Sequence, residues 1–316
     1  MHLVRGATRE YRSWTTDSRG WSRYVPRASD IVIATYPKSG TTWTQRIVGA
    51  LVFQTSDPMP FSSEISLWID GRTLKSLDEI MTAIEAQTHR RFLKAHLPFD
   101  GMPIFEEVKY IHVARDGRDV VMSWHDHDNA WLEEAVKRLD ANGYADETIG
   151  RPYPDRLSDP RDTFHRWLVE GVTSGQQDGL PNHSWFEFEA SWWSARHLPN
   201  VLMIHYEDLR TNIRSEIIRI AAFLDIPLSD DLLGRIVDAA GFKGMQRDGA
   251  VLLPHQVNIF QQGHRSFLNK GTSGRWRGIF RDDDLALYQK KLSRMVPRDC
   301  AEWLENGGSI AGLTMG

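Results

Sequence analysis

Lys38, Ser39, Gly40, Thr41 and Thr42 stand together in Thr35-Tyr36-Pro37-Lys38-Ser39-Gly40-Thr41-Thr42-Trp43, a composition suited to holding an anion. An ammonium, three hydroxyls and a glycine that lets the backbone approach can surround a tetrahedral, multiply charged oxyanion. The order is not that of a Walker loop, in which the lysine follows the second glycine of Gly-x-x-x-x-Gly-Lys-Ser/Thr; here Lys38 precedes Gly40. An ordinary strand-to-helix turn with Thr41 or Thr42 as the cap is the simpler alternative, but it gives the lysine and the second threonine no task. Lys94 and His96 lie two positions apart in Arg90-Arg91-Phe92-Leu93-Lys94-Ala95-His96-Leu97-Pro98, so on a strand they emerge on one face. A histidine with an ordinary pKa of about 6.5 can take a proton at neutral pH. Arg115 and Ser123 follow, about two helical turns apart, as a pair able to share one anion. For Arg115 a surface ion pair with Asp116 or Asp119 is the plainer alternative. Asn269-Lys270-Gly271-Thr272-Ser273-Gly274 is a second loop able to receive an anion.

These residues need elements to aim them. Ile31 to Ala34 is an apolar run of buried-strand type, and Trp43, Ile47, Val48, Leu51 and Val52 recur at helical spacing through Gln54. The helix start would turn its free N–H groups and the positive end of its dipole toward the loop. Val108 to Ala114 and Val201 to Asp208 read as further strands, the first leading into a helix past Val120, Val121 and Trp124. Leu74 to Gln87 and Ile213 to Leu224 read as amphipathic helices, and Ser229 caps a helix that Gly241 stops. Strands alternating with helices predict an α/β fold, a mainly parallel sheet flanked by helices, with ligands beyond the carboxyl ends of the strands. Residues 1–316 read as one domain: 1–29 an irregular arm, 125–165 a lid or acceptor-side excursion.

The 316 residues carry a net charge of -4, which offers no broad basic field for nucleic acid. One cysteine, Cys300, allows no internal disulfide and no cysteine-rich metal site, in keeping with a cytoplasmic location. No signal-peptide pattern opens the chain, and no apolar run reaches the ~18 residues of a membrane span. His125, Asp126 and His127 invite a metal reading, yet adjacent positions diverge on a helix and no third ligand follows at suitable spacing; no metal is expected. Twelve tryptophans are many. Phe61, Trp68, Phe99, Trp124, Trp131 and Trp185 are candidates for the mouth of an acceptor pocket, with a core role as the alternative for each.

The nine residues Thr35 to Trp43 resemble the phosphosulfate-binding loop of the cytosolic-type sulfotransferases, and the likeness runs from about Ile31 to about Phe280. It implies 3′-phosphoadenosine-5′-phosphosulfate (PAPS) as co-substrate, held by Lys38, Ser39, Gly40, Thr41, Thr42 and Trp43. Lys94-Ala95-His96-Leu97-Pro98 is similar to the family's Lys-Thr-His-Leu-Pro, which implies His96 as base and Lys94 as an auxiliary cation. Arg115 and Ser123 match its 3′-phosphate pair, Tyr206 and Phe242 its residues near the adenine, and Lys270 and Gly271 its late loop. Four departures stand out: Asn269 replaces an arginine of that loop, Ala240 a threonine, and Arg275 an aspartate before Trp276, while the usual dimerisation motif is not recognisable. Arg265 or Arg275 could supply the cation that Asn269 lacks.

The expected reaction is in-line sulfuryl transfer from PAPS to a hydroxyl or amine of a small hydrophobic or glycolipid acceptor. His96 would act as base; Lys38, with Lys94 and Ser123, would complete the catalytic set. The wording around Thr42 to Phe53 resembles bacterial members, some of which act on glycolipids. A metal-dependent nucleotide kinase and a non-catalytic nucleotide-binding module are the alternatives. The former needs Walker spacing, and the latter has no use for His96.

Overall fold

The computed structural model describes residues 1–60, 64–72 and 75–310. Two short strands, β1 (Leu3–Arg5) and β4 (Ile104–Phe105), pair antiparallel to one side. The four others, β2 (Ile31–Thr35), β3 (Phe92–Ala95), β5 (Lys109–Ala114) and β6 (Val201–His205), form a parallel sheet in the order β3-β2-β5-β6. All five residues of β2 are buried because both faces of a parallel sheet are covered, which is why the run Ile-Val-Ile-Ala is apolar throughout. Side chains alternate: Ile31 and Ile33 join one core with Ile111 and Ile204, while Val32 and Ala34 join another with Leu93 and Tyr110. Register then aligns the strand ends, since Ala34 pairs with both Ala95 and His112 and Ala114 pairs with His205. Thr35, His96, Arg115 and Tyr206 therefore leave the sheet along one edge.

Helices cover both faces. On one lie α1 (Thr41–Phe53), α8 (Ile213–Phe223) and α9 (Asp230–Ala240), whose Ile47, Leu51, Ile217, Ile220 and Ile236 are buried together. Ser229 accepts from the N–H of Leu232 and Gly241 ends α9, as the sequence indicates. On the other face lie α5 (Pro160–Val169), α6 (Trp185–Ser194), α12 (Asp282–Met295) and α13 (Arg298–Asn306). Their Trp167, Trp185, Trp192, Trp193 and Trp303 account for much of the tryptophan content as core. The helix expected over 74–87 is α2 (Leu77–Ala86), opened by a capping box of Ser76 and Glu79; Leu74 lies outside the described residues.

Some boundaries differ from expectation. β6, expected to run to Asp208, stops at His205, because the His205 ring accepts from the N–H of Glu207 and opens α7 (Tyr206–Thr211). The arm 1–29 is not merely irregular: it holds β1 and a short 3-10 helix, Ser18–Arg23, and buries Tyr11, Trp14, Trp21 and Tyr24. Stretch 125–165 contains the end of α3 (Gly117–Asp128), all of α4 (Glu133–Ala145) and the start of α5.

Candidate active site

Where β2 turns into α1, Lys38 and Gly40 both take positive φ, 73° and 108°. At Gly40 only glycine fits comfortably, since a Cβ would stand 3.1 Å from the Tyr206 ring as well as straining the backbone. Neither Thr41 nor Thr42 is the cap. Gly40 holds that place with no side-chain cap, and the Thr41 hydroxyl is 2.6 Å from that of Thr35. The first turn of α1 is thus left without a side-chain acceptor at the mouth of a cavity of about 620 Å³. Ser39 lies beneath the loop, buried, its hydroxyl without a partner among the described residues.

Lys38, Gly40, Thr41, Thr42, Trp43, Lys94, His96, Arg115, Ser123 and Tyr206 all line this one cavity, as do Phe242, Asn269, Lys270 and Gly271. Parallel register brings in the first residues, and α10 (Phe242–Leu252) with the segment after α11 (His264–Phe267) closes over them. Gly271, at φ 61°, lies so close to Phe242 that a Cβ would come within 2.5 Å of the ring. Arg115 makes no ion pair with Asp116 or Asp119. Its guanidinium sits 4.0 Å from the Tyr206 ring centroid and donates to the carbonyls of Lys38 and Thr272, both at 3.2 Å. Trp43 meets Tyr206 edge-on at 5.5 Å, giving the cavity an aromatic end.

His96 is buried, and its Nδ1 lies 2.7 Å from the Thr35 carbonyl. A carbonyl only accepts, so the proton resides on Nδ1 and Nε2 keeps its lone pair. Burial, with the ammonium groups of Lys94 and Lys38 nearby, holds the imidazole pKa well below its ordinary value. His96 is therefore a neutral base with one nitrogen committed. Its ring stands edge-on to Trp68 at 5.0 Å, and Lys94 Nζ is 4.0 Å from the Trp68 centroid. Asp70 braces this corner, accepting from the indoles of Trp21 and Trp68 and from the His96 backbone N–H at 3.0, 2.6 and 3.0 Å.

Lys38 reaches His127, whose Nδ1 is 3.2 Å from its Nζ, and the Phe267 ring at 4.6 Å. Burial and repulsion by Arg115 and Lys94 push its pKa down to about 7; burial brings Lys94 to about 8. Lysines depressed mainly by burial would regain the ammonium form beside a polyanion in the cavity.

The triplet once open to a metal reading disperses: His125 meets the Thr163 hydroxyl at 2.9 Å, Asp126 meets Arg275 at 2.7 Å, and His127 faces Lys38. No group of three His, Cys, Asp or Glu side chains among the described residues could hold a metal ion. Of the aromatic candidates, Trp68, Trp124 and Trp131 line the cavity. Trp185 and Phe99 do not: Trp185 is fully buried beside Phe186, and Phe99 packs on Trp192 at 5.2 Å. Trp185 is core and Phe99 is half-buried against that core, because α6 turns its aromatic face to the sheet. Phe61 lies outside the described residues. Asp70, Phe260 and Phe267 were not singled out as site residues in the sequence. Nothing local marks an aspartate in a Trp-Ile-Asp-Gly turn as the brace of a distant strand.

Residues 28–296 match the family model described as sulfotransferase domain. The chain belongs to this family. Membership makes it a PAPS-dependent sulfotransferase and sets aside the nucleotide-kinase alternative. A glycolipid sulfotransferase of Mycobacterium tuberculosis (strain ATCC 25177 / H37Ra) is 30% identical over 308 residues, covering 94% of each chain. Sulfotransferase 1B1 of Mus musculus is 30% identical over 305 residues, 89% of this chain and 90% of the relative. Among solved structures, mouse sulfotransferase SULT7A1 complexed with PAP matches with a TM-score of 0.65 at 20% identity, covering 92% of both chains. Retinol dehydratase in complex with androsterone and inactive cofactor PAP matches with a TM-score of 0.66 at 21% identity, over 92% of this chain and 85% of the other. These two likenesses establish the sulfotransferase fold. Among the described residues no helix is long and apolar enough to cross a membrane.

Proposed function

We propose that the chain moves the sulfuryl group of PAPS in line onto a hydroxyl, or an amine, of a small hydrophobic or glycolipid acceptor. The observation that carries this reading is the His96 tautomer. With Nδ1–H committed to the Thr35 carbonyl, Nε2 is a free base at the cavity wall, beside Lys94 and within the field of Lys38. PAPS supplies an activated sulfuryl group whose S–O bond to phosphate breaks as the acceptor O–S bond forms. His96 Nε2 takes the acceptor proton. Lys38 and the uncapped N–H groups of α1 neutralise charge on the departing phosphate oxygen, a role often worth ~3 kcal/mol per donor. Arg115, Ser123, Lys270 and Gly271 would hold the second phosphate of the donor, and Trp43, Tyr206 and Phe242 its base.

For the acceptor, Trp68, Trp124, Trp131, Phe260 and Phe267 supply an apolar wall on the side of the cavity near His96 and His127. The glycolipid sulfotransferase relative, similar over nearly its whole length, supports a glycolipid acceptor; the androsterone complex of retinol dehydratase supports a hydrophobic alcohol. Part of 125–165, with His127 and Trp131, belongs to that acceptor side in our reading. We place the protein in the cytoplasm as a single-domain enzyme.

An acceptor screen with sulfur-labelled PAPS tests the proposal. His96→Ala is expected to lower turnover at least ~10³-fold while binding adenosine 3′,5′-bisphosphate within about twofold of the parent. Near-normal turnover in that variant would remove His96 from the mechanism.

A further inference from the structure

Seven lysines and arginines line the cavity, and among the described residues facing it the single acidic side chain is Asp126. That carboxylate is used in an unusual way. One of its oxygens, Oδ2, faces Arg275 Nη1 at 2.7 Å, Asn269 Nδ2 at 3.3 Å and Lys270 Nζ at 3.5 Å. Three nitrogen donors from one segment thus converge on one oxygen. The segment is held there by other contacts: Gly274 N–H donates to Asp119 Oδ1 at 2.8 Å, Thr272 O accepts from Arg115 at 3.2 Å, and the Ser273 hydroxyl donates to Glu207. Asp119, Ser123 and Asp126 share one face of α3 at helical spacing, so Ser123 lies between the two carboxylates that meet the segment. Arg115 and Ser123 open on the same space.

Such convergence is the geometry of an anion subsite already filled, with a single oxygen standing where a phosphate would offer three. The groups involved remain partly exposed, Arg275 at 21%, Asp126 at 20% and Lys270 at 49%, so their pairing is water-accessible and weak enough to exchange. We propose that Asp126 is a tethered stand-in for the second phosphate of the donor nucleotide, and that Arg275 is the main cationic contact of that phosphate. Asn269 sits beside Arg275 at the same point and contributes a neutral donor only. This inference rests on the donor reading given above.

The test compares adenosine 3′,5′-bisphosphate with adenosine 5′-monophosphate by calorimetry, on the full chain and on Arg275→Gln, Arg275→Lys and Asp126→Asn. The ratio of the two dissociation constants isolates the second phosphate. Arg275→Gln should reduce that ratio about tenfold, as for loss of a charge-assisted contact, with Arg275→Lys restoring part of it. Asp126→Asn should raise the ratio by roughly threefold, because the tethered competitor is gone. An unchanged ratio in Arg275→Gln, in a variant that melts like the parent, overturns the assignment. Weaker bisphosphate binding in Asp126→Asn would instead make the carboxylate a structural support and overturns the stand-in role. A ratio near one in the parent would refute the donor reading itself, a result separate from either of these.

Discussion

Lys38 should give the active site a distinct pH signature. Burial, with repulsion by Arg115 and Lys94, pushes its pKa down to about 7, against about 10.5 for an ordinary lysine. A phosphate placed beside Nζ favours the ammonium, so the bound form holds a proton that the free form has lost above pH 7. Binding of adenosine 3′,5′-bisphosphate should therefore take up a proton and weaken as pH rises through 7, by up to about tenfold per unit. Lys94, at about 8, steepens the fall from there upward. Calorimetry at pH 8 in buffers of different ionisation enthalpy reads the uptake directly, and Lys38→Met should remove the larger part of it. A binding constant flat from pH 6.5 to 9 would contradict this linkage. His127, neutral because it is buried against Lys38, accepts from Nζ and adds no charge of its own to the titration.

At the scale of elements, the turn around Asp70 decides how β3 delivers His96. Three N–H donors from the arm, from Trp68 and from the end of β3 meet on the fully buried Asp70 carboxylate. Removing it leaves two indoles and a backbone N–H unsatisfied, so Asp70→Ala should cost about 3 kcal/mol. Urea unfolding measures that, and a loss below about 1 kcal/mol would mean water replaces the carboxylate with little penalty. Turnover should fall as well, because the Trp68 ring that flanks His96 and carries Lys94 loses its anchor. Among the elements, β2, α1, α9 and the caps of α9 were legible because their signals are local: apolar period, Ser229 and Gly241. The stop at His205 was not, since a histidine that caps the next helix looks no different in sequence from one that continues a strand.

For the whole molecule, the cavity joins the carboxyl edge of the sheet to α10 and the 269–275 segment, so a ligand there ties together parts distant in sequence. Adenosine 3′,5′-bisphosphate at about one hundred times its dissociation constant should add ~2.7 kcal/mol and raise the melting temperature by roughly 5 °C. ATP with magnesium at equal concentration should raise it far less, because the loop lacks Walker spacing. The reverse order of stabilisation would count against the donor proposed here. The arm contributes to the same assembly, with the Trp21 indole reaching Asp70 from forty-nine residues away.

By itself the sequence determined the strand-to-helix loop at Pro37 to Thr42, the parallel-strand pattern and the pairing of Lys94 with His96, because each rests on neighbours within one element or one turn, and it determined the family through motifs spread from Ile31 to Phe280. The tertiary structure alone decided which nitrogen of His96 is free, that Lys38 leans on His127 eighty-nine residues on, and that Asn269 and Arg275 meet at Asp126. It also assigned Trp185 to the core and Trp131 to the cavity wall. The physical reason is common to all of these. Periodicity and caps act over a few residues, whereas the partner of a side chain depends on how whole elements pack, and that arrangement follows from the buried faces of the entire chain.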